Sequence, residues 1–192
     1  MAYKFNPDKK HHLNTENRKN EMPPKETLVK MSLKEGNNLL DIGAGIGYFS
    51  IPAAKIVGNK GSIFAVDTSQ EMLNELEQRV KNLDINNIEI IKGEKYDSDI
   101  ADNSVDYIFL SNVLHEVEDK NKLLSNYLKK LKPNGKIGII EFKKKEIPKG
   151  PPYEHKISIN KLKEYYHNQN LEIFKEVEIN DYQYGLVGIK TK

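Results

Sequence analysis

The sequence predicts an α/β fold: a doubly wound, seven-stranded sheet of five parallel strands followed by a C-terminal antiparallel hairpin. Three observations predict it. Short apolar runs alternate with segments whose apolar residues recur every three or four positions. That alternation implies parallel neighbours, because parallel strands need a crossover connection between them. The last two apolar runs are separated only by Asn180-Asp181, which suits a hairpin turn and nothing longer.

The elements follow in order. Residues 1–24 are polar and end in Pro23-Pro24, so they read as an irregular arm with one helical turn. Leu28, Met31 and Leu33 suggest a helix over 24–33 with proline in its first turn, ended by Gly36. Strand one is 39–42, followed by a glycine-rich turn and a helical pattern over 48–57 that Gly58 and Gly61 close. Strand two is 62–66, ending at Asp67. Ser69 can cap the helix through Met72, Leu73, Leu76, Val80 and Leu83, with Glu71 and Glu75 near its positive end. Strand three is 88–91 and strand four 105–110. A helix through Leu123, Leu124, Tyr127, Leu128 and Leu131 leads to a turn at Pro133-Asn134-Gly135 and strand five at 137–142. A helix at 159–168 precedes the hairpin strands 172–179 and 182–190. The organisation expected is an arm, or lid, and helix over 1–34 and a sheet domain over 35–192.

Composition narrows the function classes. The chain of 192 residues can bury a real core without staples. It has no cysteine, which excludes disulfides, thiolate metal sites and a thiol nucleophile. The adjacent His11 and His12 on a coil make a poor chelate, so no metal site is expected. Lys+Arg 30 against Asp+Glu 28 leaves a net charge of +2, and the arginines are two, Arg18 and Arg79. Near-neutral charge and scarce arginine give little support to DNA or RNA binding. No run approaches the ~18 apolar residues of a membrane span, and the N-terminus carries no secretory stretch, so a cytoplasmic address is the expectation.

The sharpest feature is Asp41-Ile42-Gly43-Ala44-Gly45-Ile46-Gly47, between strand one and its helix. Glycines there permit positive φ and close approach of a ligand, and the helix behind them presents free N–H groups. A dinucleotide fold spaces its glycines Gly-x-Gly-x-x-Gly. Here the third comes one residue early, and Tyr48 stands where it should be. The strand also ends in an acid. A carboxylate repels a pyrophosphate and attracts the ammonium of a methionine, which favours S-adenosylmethionine over NAD. Asp67, twenty residues past Gly47 and followed by Thr68, can accept from both ribose hydroxyls. Glu94 can accept from the adenine amine, with the Lys95 backbone N–H reaching the ring. Strand four ends at Ser111-Asn112, where a carbonyl can take the methionine ammonium.

With these pieces in place, the chain resembles the class I S-adenosylmethionine-dependent methyltransferases, with a Rossmann-like fold, in the branch of the ubiquinone/menaquinone C-methyltransferases. The resemblance rests on "LLDIGAGIGYFS", "IFAVDTSQEML", "IEIIKGEKYD", "DNSVDYIFLSNVLHEVED" and "LKPNGKIGIIEF" and covers about residues 36–142. It implies methyl transfer from S-adenosylmethionine, leaving S-adenosylhomocysteine. It does not specify the acceptor. "FNPDKKHHLNTENR" and "EFKKKEIPKGPP" are similar to segments of one sub-branch in which strand five ends in an acid and a tryptophan; here it ends in Glu141-Phe142.

For the acceptor, ligands in this architecture sit beyond the carboxyl ends of the strands. His115 is the best general base, being titratable near neutrality and three residues past Asn112. A structural histidine is its equal alternative. Glu141 and Tyr153 are expected to line the acceptor pocket with it, roofed by the arm around His12 and Arg18. The expected acceptor is a small molecule. Two other readings remain open: a protein that binds S-adenosylmethionine or S-adenosylhomocysteine without chemistry, and an RNA or protein methylase that needs a partner subunit.

Overall fold

The computed structural model describes residues 15–191. Its sheet has seven strands in the order β3-β2-β1-β4-β5-β7-β6. They are β1 (Leu39–Ile42), β2 (Ile63–Asp67), β3 (Ile88–Lys92), β4 (Val105–Ser111), β5 (Leu131–Phe142), β6 (Leu171–Glu178) and β7 (Gln183–Lys190). The first five are parallel to one another, and β7 runs antiparallel to both β5 and β6. The expected topology of five parallel strands and a terminal hairpin is therefore found.

Strand alternation assigns two apolar faces. Leu39, Tyr107, Phe109 and Ile140 pack with Leu28 and Met31 of α2 (Pro24–Lys30) and with Ala53, Ala54 and Val57 of α3 (Ser50–Val57). Leu76 and Val80 of α4 (Gln70–Asn82) pack with Ala65 and Ile51. The other face carries Leu40, Ile42, Ile108, Leu110, Ile137 and Ile139. These pack with Leu123, Leu124, Tyr127 and Leu128 of α5 (Lys120–Lys130) and with Leu162 and Tyr166 of α6 (Ile159–Asn168). Helices thus cover both faces, as buried parallel strands require. Side chains cap the starts of α4, α5 and α6, with Ser69, Asp119 and Ser158 accepting from the N–H groups of Met72, Lys122 and Lys161.

Three segments depart from the sequence reading by more than a residue or two. The arm contains a genuine helix, α1 (Glu16–Glu21), capped by Thr15. Helix α2 stops at Lys30 rather than residue 33. Ser32 takes φ +72°, and the Leu33 N–H returns to the Leu28 carbonyl. The stop is therefore a left-handed serine, not Gly36. Pro133-Asn134-Gly135 lies inside β5: Leu131 already faces Val105, and pairing resumes with Lys136 opposite Tyr107. The expected turn is a bulge, with Asn134 at φ +62°.

On the α2 face, the Tyr107 hydroxyl donates to the Met31 carbonyl over Gly138. A Cβ on Gly138 would lie 2.2 Å from that hydroxyl and 3.1 Å from the Met31 methyl. Gly138→Ala is expected to destabilise the fold by about 1–3 kcal/mol through overpacking, with Tyr107→Phe recovering part of the loss. Urea unfolding of the single and double variants checks this.

Candidate functional site

The crossover after β1 runs through α3 on one face and that after β4 leads to α5 on the other, so the strand ends open a crevice between them. The glycine turn fills one side of it. Gly43, Gly45 and Gly47 all have positive φ, at +72°, +56° and +80°. A Cβ on Gly43 would meet the Val113 side chain at 2.4 Å, so the turn and the segment after β4 touch at a spacing that glycine alone permits. Arg79 of α4 donates to the Ile46 carbonyl and fixes the turn from outside.

Two carboxylates organise this turn. Asp41 is buried, and the Ser50 hydroxyl at the start of α3 donates to it at 2.6 Å. Burial drives its pKa up to about 7, the Ser50 bond works against that rise, and the charge of Asp67 adds to it. Asp67 ends β2 and accepts from the Gly45 and Ser69 N–H groups, each at 2.8 Å. It ties the glycine turn to the start of α4, a role the sequence reading did not foresee. Each oxygen keeps a second lone pair for a ligand.

Beyond β3, Glu94 is exposed at the rim and its N–H bonds to Asp97. The Lys95 side chain pairs with Glu118 at 2.8 Å. Beyond β4, Asn112 is left-handed at φ +59°, and its side-chain oxygen accepts from Gln183 of β7. The Ser111 hydroxyl is buried and has no hydrogen-bond partner among the described residues.

The segment after β4 makes a single 3₁₀ turn that buries His115. Its Nδ1 lies 2.7 Å from one oxygen of Glu141, whose other oxygen accepts the His115 backbone N–H at 3.2 Å. Glu141 is fully buried, so the histidine supplies the partner that a buried carboxylate needs. Burial pulls the imidazole pKa down, but the charge and hydrogen bond of Glu141 outweigh it, and the net shift is upward.

These pieces line one cavity of about 1140 Å³. Asp41, the glycine turn from Gly43 to Ile46, Asp67, Thr68, Glu94, Lys95, Ser111 and Asn112 border it, and so does His115. Helix α1 contributes Arg18 and Met22. The Tyr48 hydroxyl donates to the Met22 carbonyl at 2.8 Å, and Arg18 lies over the Tyr48 ring at 4.0 Å. Glu21 pairs with Lys149 from the loop after β5, and Asn180 donates to the Glu21 carbonyl. Tyr48, in the place of a dinucleotide-type glycine, therefore serves as the anchor of the arm.

Two expectations for the acceptor side are corrected. Glu141 does not line the cavity: it sits behind His115, whose ring and backbone N–H each engage one of its oxygens. Tyr153 is 45% exposed with Lys144 over its ring, because Pro151-Pro152 carry the chain outward before it. His12 lies outside the described residues. Sequence reasoning missed Phe142, Tyr182 and Pro148–Pro151, which also border the cavity. Gly150 at φ +82° packs on the Phe142 ring, where a Cβ would lie under 3 Å away, so the sequence signal was the Gly-Pro pair.

The residues present fit S-adenosylmethionine. The turn offers positive-φ glycines, Asp67 has spare acceptor capacity, Asp41 can answer an ammonium, and the Ser111 hydroxyl awaits a polar partner. A family model described as "Methyltransferase domain" matches residues 33–183. The demethylmenaquinone methyltransferase of Listeria welshimeri serovar 6b is 33% identical over 124 residues, 65% of this chain and 52% of that protein. The ubiquinone/menaquinone biosynthesis C-methyltransferase UbiE of Francisella tularensis subsp. holarctica is 31% identical over 125 residues, again 65% of this chain and 50% of the relative. The chain thus spans about half the length of the curated relatives it matches. A crystal structure of a SAM-dependent methyltransferase from Aquifex aeolicus superposes with a TM-score of 0.93 at 32% identity, covering 98% of this chain and 100% of the other. The [4+2]-cyclase SpnF, at 16% identity and TM-score 0.75 over 87% of this chain and 79% of its own, shares the fold. On the matched domain and the structural relative covered end to end, the chain belongs to the methyltransferase-domain family, that of the class I S-adenosylmethionine-dependent methyltransferases, and is similar to the ubiquinone/menaquinone enzymes.

Proposed function

We propose that the protein methylates a small aromatic acceptor of the phenol or quinol class, with His115 as the base. The observation that carries this is a single cavity holding both the cofactor cradle and His115, with volume to spare. A site for one ligand typically measures ~300–1,000 Å³, and this one is about 1140 Å³. Its wall beyond the glycine turn is aromatic and aliphatic, from Met22, Phe49, Phe142 and Tyr182, with Arg18 as a cation. Such a wall suits a flat ring that bears a polar or anionic group. The names of the quinone-methylating relatives agree with that chemistry.

Asp67 would hold the ribose, Glu94 and Lys95 the adenine, and Asp41 with the β4 end the methionine moiety. The cofactor, when bound, supplies a methyl already activated on a sulfonium. The chain then needs to orient the acceptor and exclude water, and positioning of this kind can supply ~7–11 kcal/mol. Helix α1 closes the cavity through its bonds to Tyr48, Lys149 and Asn180. Glu141 holds the Nδ1 side of His115, and Nε2, 4.0 Å from a Glu116 carboxylate oxygen, would take the acceptor proton. A base so placed contributes ~10²–10⁴-fold. The test is a screen of small phenols, quinols and amines for S-adenosylhomocysteine release. Turnover is expected with phenols or quinols; turnover confined to RNA or protein substrates, or none, would contradict the reading.

Three predictions follow from the site. Asp67→Ala is expected to weaken S-adenosylhomocysteine binding by about tenfold to a hundredfold, the ~1.5–3 kcal/mol of a charged hydrogen bond, in calorimetric titration. Asp41 carries a proton below about pH 7 in the free protein. An ammonium beside it lowers that pKa, so binding should release a proton and weaken by up to about tenfold per pH unit below 7. Asp41→Asn should flatten the profile and abolish the buffer-dependent heat. The His115 imidazole should titrate above an ordinary histidine in an NMR pH series, and Glu141→Gln should bring it down. In kinetics the alkaline rise in turnover, which reports the neutral base, should move to lower pH in that variant.

A further inference from the structure

A second cavity, of about 240 Å³, lies between the starts of α5 and α6 and the loop after β5, with His115 on its wall. Its lining is strongly cationic: Lys120, Lys144, Lys156 and Lys161 all border it, against one acid, Glu154. Lys156 is the telling residue. It is 4% exposed, and its ammonium donates to one carbonyl, that of Lys145, at 3.0 Å. Among the described residues that carbonyl is its hydrogen-bond partner, and the ammonium makes no ion pair. A buried ammonium without a counter-charge is costly. Burial also holds the Lys120 ammonium below its ordinary pKa, against the pull of Glu141 and Asp119. Lys161 pairs with Glu164, and Lys144 rests over Tyr153; both are exposed at the edge of the pocket. The wall also holds Ser158 at the amino end of α6, where the helix dipole favours an anion.

We propose that this pocket binds a small, multiply charged oxyanion of the phosphate class. It answers the charge on Lys156, its volume suits a phosphate or diphosphate group, and neither the cofactor cradle nor the acceptor wall makes use of it. Because His115 borders both cavities, an anion held here sits beside the proposed base.

The test is calorimetric titration of the full chain with inorganic phosphate and with glycerol 3-phosphate, at ionic strength held constant with chloride. Each titration is run with and without saturating S-adenosylhomocysteine, which keeps the anion out of the glycine turn. The S-adenosylhomocysteine heat itself, measured first, separates failure of this proposal from failure of the cofactor assignment. Saturable phosphate binding that persists with the large cavity filled is expected. Lys144→Gln with Lys161→Gln, both at exposed positions, should weaken it by about tenfold or more, as loss of charged hydrogen bonds does. Lys156→Met should abolish it while sparing S-adenosylhomocysteine binding. Binding of both ligands supports a phosphoryl group on a larger molecule, and binding of inorganic phosphate alone supports the free ion. No binding above that of chloride, or binding unaltered in the surface-lysine variant, would overturn the proposal.

Discussion

The divergence of the chain at β1 and β4 governs everything chemical in this molecule. The two strands are neighbours, yet their crossovers depart to opposite faces. Neither crossover helix covers the space above their carboxyl ends, and the backbone there turns sharply on both sides. The glycine turn approaches Val113 so closely that a Cβ at Gly43 would collide with it. Asp67 then bonds the turn to the start of α4. With Arg79 bonded to the Ile46 carbonyl, the cradle is held from three directions before any ligand arrives.

Charge is distributed over this frame in two distinct ways. Asp41 is buried with the Ser50 hydroxyl bonded to it, and burial raises its proton affinity. Glu141 is buried against an imidazole and a backbone N–H, and it is the histidine that gains proton affinity. One acid is thus poised to respond to a cation, while the other is committed to orienting a base. The difference comes from the partners that the neighbouring strands supply, since both acids end or nearly end a parallel strand.

Most of the fold was legible because parallel strands and their crossovers carry strong periodic signals. The cofactor cradle was legible because three alternate glycines after an acid have few other uses. What the sequence did not show depends on contacts across the fold. The stop at Ser32 needed a serine in a left-handed conformation, which residue type does not announce. The retreat of Glu141 behind His115 is set by the pairing of β5 with β4 and β7. The outward position of Tyr153 follows from the proline pair before it, and the anchoring of α1 by Tyr48 joins residues 26 apart. Arg18 was expected in a roof, and it borders the cavity over the Tyr48 ring.

One cavity brings the cofactor cradle and His115 together. A crystal structure with S-adenosylhomocysteine bound tests it most directly. The account predicts ribose hydroxyls on Asp67, the methionine ammonium near Asp41 and Asn112, and the sulfur facing open space bordered by His115, Phe142 and Arg18. A ligand seated elsewhere, or a sulfur more than about 10 Å from the His115 ring and so beyond reach through one water, would contradict it.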